Sequence, residues 1–311
     1  MEEYNDTYHE HMFIRVGKDP SGMEAVTRPS LTYYQDAWRR LKENPVAMAG
    51  LILIAVYVLL AILGPFMVQF DFRTNSPSMD EPPSITHWFG TDTLGRDLWA
   101  RTWTGARVSL TIGGIAALLN SCIGVVIGGI SGYFGGAIDM AIMRTIDVLY
   151  GIPYMVTAIL AMVVLGPGIG TLIIALVMTG WLASARVVRG QILQLREMEF
   201  VLAARILGAS HMRILFRHMI PNLLGLVITN LTMAVPYAIF AEAFLSFIGL
   251  GIQPPYSSWG QLARYGSQNF RVYPWQLFIP AFFISTTMLA LNLLGDGLRD
   301  ALDPRLRGTV K

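Results

Sequence analysis

The chain has 311 residues, and a few short patterns in it carry residue types capable of chemistry. Gly129-Ile130-Ser131-Gly132 has the G-x-S-G form of a serine nucleophile, which needs a base within hydrogen-bond reach. All five histidines, His9, His11, His87, His211 and His218, fall outside the apolar segments, so no intramembrane dyad can be assembled. The Gly17-Lys18 pair is followed by Asp19, and the chain lacks the G-x-x-x-x-G-K-[ST] loop that cradles nucleotide phosphates. His9 and His11 have no neighbouring ligand set for a metal. Cys122 is the single cysteine, which forbids an intrachain disulfide and reads as a small buried apolar residue. What remains is a set of polar groups inside otherwise apolar stretches: Asn120, Ser121, Asp147, Asn230, Thr232 and Glu242. Such groups face a bundle interior or water, so they are the candidates for lining a pathway. Asp147 lies three residues after Arg144, which favours a local pair. Glu242 is placed near the outer end of its span, within reach of interfacial water.

The elements that carry these residues follow from composition. Hydrophobic residues make up 53% of the chain and charged residues only 14%, against roughly a quarter charged in an ordinary soluble domain. Charge-free windows run over 46–70, 108–138, 148–185, 219–241 and 272–295. Each exceeds the ~20 residues that cross a bilayer as a helix, and barrel strands would be about half as long. Gly166-Pro167-Gly168 divides the longest window with a tight turn. The expectation is an all-α integral membrane protein with six spans, near 46–70, 108–131, 142–165, 169–186, 220–245 and 274–296. Pro153 and Pro236 lie within spans as candidate kinks. The small-residue run Gly124, Gly128, Gly129, Gly132, Gly135 and Gly136 follows no strand, which argues against a nucleotide site and for close helix packing.

Six spans put both termini on one side. With both termini inside, the inner segments carry 17 of the 23 Lys and Arg residues, and the positive-inside rule then assigns the termini to the cytoplasm. About 45 polar residues precede the first span, so that span is not a cleaved signal peptide. Most of the tail is broken by Gly17, Pro20, Gly22 and Pro29 and reads as flexible. Tyr34, Ala37, Trp38 and Leu41 recur at helical spacing beside Arg39, Arg40 and Lys42, the pattern of a helix in the membrane interface.

The segment between spans four and five, 196–222, is the most informative. Phe200, Ala203, Ala204 and Leu207, then Ile214 and Leu215, recur every three to four residues and describe two short amphipathic helices bent around Gly208. Gly208 would allow close packing at the bend, and Pro221 would stop the loop helix before span five. The periodicity serves equally a helix resting on lipid headgroups and a helix presented to a groove on a cytoplasmic protein.

Ala203-Ala204, Gly208 and Pro221, at these spacings, resemble the E-A-A-x3-G-x9-I-x-L-P loop of ATP-binding-cassette importer permeases. Leu202 stands at the family's Glu position, His218 at its Ile and Ile220 at its Leu; Glu199 lies one helical turn before Leu202. Trp88-Phe89-Gly90-Thr91-Asp92 with Gly95-Arg96-Asp97, Gly132-Tyr133-Phe134-Gly135-Gly136, and 295–304 are similar to stretches of the oligopeptide and dipeptide permease C subunits. The likeness covers about 31–308. It implies a type I importer permease fold with a cytoplasmic coupling-helix loop formed by Glu199, Ala203, Ala204, Gly208, Ala209 and Pro221. The implied layout is a cytoplasmic tail with interfacial helix (1–45), a first span (46–70), an external loop (71–107), a five-helix core (108–298) and a cytoplasmic tail (299–311). The implied role is non-catalytic: half of a translocation pathway for peptides, in the cell membrane. Implied partners are a second permease subunit, two ATPase subunits that bind ATP and Mg, and an extracytoplasmic binding protein; neither nucleic acid nor a cofactor of this chain's own is expected. Nickel complexes or oligosaccharides are the alternative cargo, and a stand-alone secondary transporter is the alternative class; no internal repeat supports the latter.

Overall fold

The computed structural model describes residues 32–302, and the regular elements among them are all helical. His9, His11 and Asp303-Pro304 lie outside the described residues. Five helical runs are long and apolar enough to cross a membrane, and a sixth span is made by two helices bent by 81° at a short break.

The chain enters through α1, Tyr33–Glu43, whose Thr32 and Gln35 form a capping box. Ala37 on this helix is buried, and Leu41 packs against Ala47, Leu298 and Ala301. The helix is therefore docked on the ends of two spans, and Trp38, with Lys42 over its ring, stays exposed. The first span, α2 (Pro45–Leu63), is started by the Asn44 side chain, which accepts from Val46 and Ala47 N–H. Its far end is finished by Arg107, which donates to the carbonyls of Ala61 and Ile62, groups that a helix C-terminus leaves without partners.

The second span, α3, runs from Leu98 to Phe134, starting ten residues before the expected 108 and inside the expected external loop. Arg101 and Arg107 end the charge-free window, yet the fold accommodates both, Arg107 on α2 and Arg101 buried beside Asp92. The expected single span 142–165 is instead the bent pair α4 (Gly136–Tyr150) and α5 (Tyr154–Leu165). Pro153, whose missing N–H prevents it from continuing a helix, sits at the break. The turn at Gly166-Pro167-Gly168 follows, with Gly166 at φ +80°, and leads into α6 (Ile169–Arg196).

Helices α3 and α6 form the most extensive pair. A side chain at Gly124 would strike Ser184, one at Gly128 the Ala185 backbone, and one at Gly132 the Arg189 carbonyl and Ile192. The small-residue stripe thus lets two backbones approach where lipid supplies no hydrophobic drive. Cys122 is exposed on the chain, not buried as its type suggested, because it lies off this closely packed stripe.

After the loop described below, α9 (Leu224–Phe247) contains Pro236, and α11 (Trp275–Leu302) contains Pro280. Between them α10 (Trp259–Gln268) is a short helix the apolar windows do not reveal. It packs against α9 and α11 because Gly260 and Gly266 meet the backbones of Ala243 and Gln276. The stretch before α3 is knit by polar groups: Asp97 caps α3 at Ala100 N–H and pairs with His87 Nδ1 at 2.8 Å, while Asp92 accepts from Arg96 Nε at 2.8 Å. Gln276 on α11 donates to Asp80 and to the Thr91 carbonyl.

Candidate functional site

Two places concentrate the candidate residues. The first is a groove of about 390 Å³ among α3, α6 and α9, lined by Asn120, Ser121, Ser184, Asn230, Met233 and Tyr237 together with small residues. Asn120 is held by a hydrogen bond from Nδ2 to the Leu176 carbonyl at 3.3 Å, and Gly180 leaves the space its amide occupies. Its buried Oδ1 has no hydrogen-bond partner among the described residues. Three of the six pathway candidates, Asn120, Ser121 and Asn230, therefore share one concavity.

The other three do not line it. Thr232 donates to the Ile228 carbonyl and lies against Gly295 of α11. Asp147 pairs with Arg186 across from α4 to α6, where the sequence suggested Arg144; helix α6 brings the better-placed cation, and Arg186 also stacks on Tyr150. Glu242 is 0% exposed, which overturns its expected reach to interfacial water. Its carboxylate accepts from Ser109 Oγ at 2.8 Å and Ser246 Oγ at 2.7 Å, and Ser109 in turn accepts from Trp259 N–H. Ser184 and the 76% exposed Tyr237 belong to the groove and are missed by the sequence reading. A tyrosine in a charge-free span counts as apolar in a window, so only its polar tip signals the role.

The second place is the loop. Helix α7 (Glu199–Ile206) ends in a turn at Gly208, φ +78°, and α8 (His211–Arg213) opens a second arm. That arm passes through a π-helical stretch, Ile214–Met219, and a 3-10 turn, Ile220–Leu223, straight into α9. Pro221 lies at the start of that turn and does not end the helix, because a helix tolerates proline in its first turn. Val201, Ile214, Leu215 and Met219 face inward onto Tyr133, Val188, Ile192 and Leu223. Ile206 and Leu207 are each 86% exposed, and Phe200 and Leu202 are exposed too. Glu199 and Ala203 are on the open side, Ala204 and Ala209 half-buried. A Cβ at Gly208 would meet nothing among the described residues, so its expected close packing does not occur among them, and the glycine answers the left-handed backbone. Ala204, Gly208, Ala209, Arg213, Arg217 and His218 surround a second hollow of about 530 Å³.

The Gly129-Ile130-Ser131-Gly132 stretch serves packing: Ser131 Oγ donates to Asp139, which also takes a bidentate pair from Arg189. Among the described residues no group of three or more His, Cys, Asp or Glu side chains could hold a metal.

Residues 124–308 match the family described as binding-protein-dependent transport system inner membrane component. The chain belongs to that family. Residues 32–83 of this permease match the N-terminal transmembrane domain of oligopeptide transport permease C. It is 51% identical over 308 residues to the dipeptide transport system permease protein DppC of Bacillus subtilis, covering 98% of this chain and 96% of that one. It is 48% identical over 298 residues to the oligopeptide transport system permease protein OppC of the same organism, covering 96% and 98%. Against OppC of Escherichia coli K12 the figures are 43% over 277 residues, 88% and 92%. The permease is thus a multi-pass membrane protein of the type I importer class. The 88–97 stretch makes the polar scaffold in front of α3, with Gly90 and Gly95 at positive φ.

Proposed function

We propose that this permease subunit imports peptides, with its loop seated on a cytoplasmic ATPase and its groove forming one wall of the path. The observation that carries the reading is the loop: a folded, well-anchored helix pair whose inner face is buried and whose outer face presents Phe200, Leu202, Ile206 and Leu207 as exposed apolar side chains. A helix displaying such anchors fits a groove on another protein. The relatives' names, dipeptide and oligopeptide transport permeases, support peptide as the cargo.

In this reading both termini and the loop face the cytoplasm, where the excess of Lys and Arg lies. ATP and Mg are bound by two partner ATPase subunits, since this chain has no phosphate-cradling motif. A second permease subunit closes the groove opposite Asn120, Ser121, Asn230 and Tyr237. A binding protein delivers peptide to the outer end. When the ATPases close, the seated loop carries α6 and α9, which it joins, and the groove changes the side on which it opens.

The test is Leu207→Asp in the complete complex. Leu207 is exposed, so the substitution leaves folding within about 0.5 kcal/mol of the parent. A charge in a buried apolar contact, in contrast, weakens the complex by roughly tenfold or more. Membrane insertion with lost ATPase retention and lost ATP-dependent peptide uptake is the expected result. Normal retention and uptake would overturn the docking.

A further inference from the structure

The loop is continuous in sequence with α6 and α9, but the groove has a third wall, α3, to which it is not joined. We infer that a hydrogen bond between Tyr133 and His211 ties α3 to the loop and carries loop motion into that wall. The inference rests on the coupling reading above and adds to it two positioning residues.

Tyr133 is in the last turn of α3, and its hydroxyl meets His211 Nδ1 at 2.9 Å. Among the described residues this is the one side-chain hydrogen bond between α3 and the loop. The place is well chosen mechanically. Tyr133 is buried, and its ring is part of the cluster formed by Val188, Ile192, Val201, Ile214 and Leu215, so the tyrosine cannot swing aside. His211 is the first residue of the second arm, just past the Gly208 turn, where the loop changes direction. The Phe134 ring backs the histidine at 6.0 Å.

Upstream, α3 is one unbroken helix, and Asn120 and Ser121 lie 13 and 12 residues before Tyr133. At 1.5 Å per residue that is about 20 Å of rigid rod from strut to groove. Along its small-residue stripe α3 meets the α6 backbone directly, and large side chains, Tyr133 with Val188 and Ile192 and Ile127 with Leu182, flank the stripe. The apolar cluster holds the end of α3 against the loop without a preferred direction, and the Tyr133–His211 bond adds a directional contact to it. Without the bond the cluster still joins α3 to the loop, but the turn of the loop at His211 is passed to α3 less faithfully and fewer ATPase cycles move all three walls together.

The experiment uses the reconstituted complex of both permeases, both ATPases and the binding protein, and reads peptide imported per ATP hydrolysed. Tyr133→Phe keeps the ring in its cluster and removes only the hydroxyl; His211→Phe keeps the ring contacts and removes the partner atom. Each is expected to leave ATP hydrolysis running while the transport ratio falls about fivefold, the scale of one net hydrogen bond. The double variant should fall no further than the worse single one. His211→Asn, whose amide can donate or accept at the position of Nδ1, should recover most of the ratio. A purely structural contact would lower the amount of complex and leave the ratio unchanged. If the ratio is unchanged in Tyr133→Phe and His211→Phe while Leu207→Asp still abolishes uptake, the strut is wrong and the docking stands. If Leu207→Asp also transports normally, both fall.

Discussion

The two ends of this permease are built on opposite rules. Ahead of α3 and around α10, the buried carboxylates each have named polar partners: Asp97 with His87 and Ala100 N–H, Asp92 with Arg96, Glu242 with Ser109 and Ser246. At the loop end the inner face is an apolar cluster, the backbone passes through α, π and 3-10 forms between His211 and Leu223, and large apolar side chains stand exposed. A buried polar network loses much when one member is removed, so it holds one geometry. An apolar face with mixed helical backbone tolerates shifts, and π and 3-10 stretches recur where helices are asked to move. On the proposed reading, one end is a fixed frame and the other the part that moves with its ATPase.

That contrast breaks most easily at Asp97. Asp97→Ala removes the cap of α3 and leaves His87 without its partner, at a cost of about 3 kcal/mol. The expected outcome is a large drop in the thermal midpoint of the detergent-purified complex, with an unchanged transport ratio in the molecules that remain folded. A normal midpoint would mean the scaffold ahead of α3 is not a frame. A smaller effect is expected at Glu242. Glu242→Ala orphans the Ser109 hydroxyl and empties a buried site, costing about 2 kcal/mol. Glu242→Gln keeps an acceptor oxygen and should cost about half as much. Equal losses for both would show that the carboxyl group itself, rather than the shape and acceptor that glutamine retains, holds α10 in place.

Much of this arrangement is legible in the sequence, and the parts that are not share a cause. Apolar windows find the spans because lipid demands about twenty uncharged residues, and the glycine stripe announces the α3 and α6 contact. The windows misplace the start of α3 because Arg101 and Arg107 count as outside charges; instead Arg107 donates to the end of α2 and Arg101 is buried 3.6 Å from Asp92, arrangements a linear window cannot see. Glu242 is misjudged for the same reason, its serine partners being 133 and four residues away. Helix α10 is invisible because its polar residues leave it no membrane signature. In the loop, the bend at Gly208 and the two arms are readable from spacing. Which face turns inward is not, since Leu207 and Leu215 are equally apolar until Tyr133 and Ile192 are brought against Leu215.

The smallest expected effect separates two meanings of Gly208. Its φ of +78° is left-handed, which costs an ordinary residue about 1–2 kcal/mol, and asparagine is among the residues that adopt it most readily. A Cβ there meets nothing among the described residues. If only the backbone matters, Gly208→Asn should transport nearly as well as the parent, and Gly208→Val, β-branched and disfavoured in that region, should lose about fivefold with little change in the thermal midpoint. If instead an ATPase surface closes over this point, any side chain obstructs it, and Asn and Val fail alike. Uptake by the two variants at matched membrane levels decides. Equal failure would extend the moving part beyond the chain's own atoms and place Gly208 inside the docked contact beside Ile206 and Leu207.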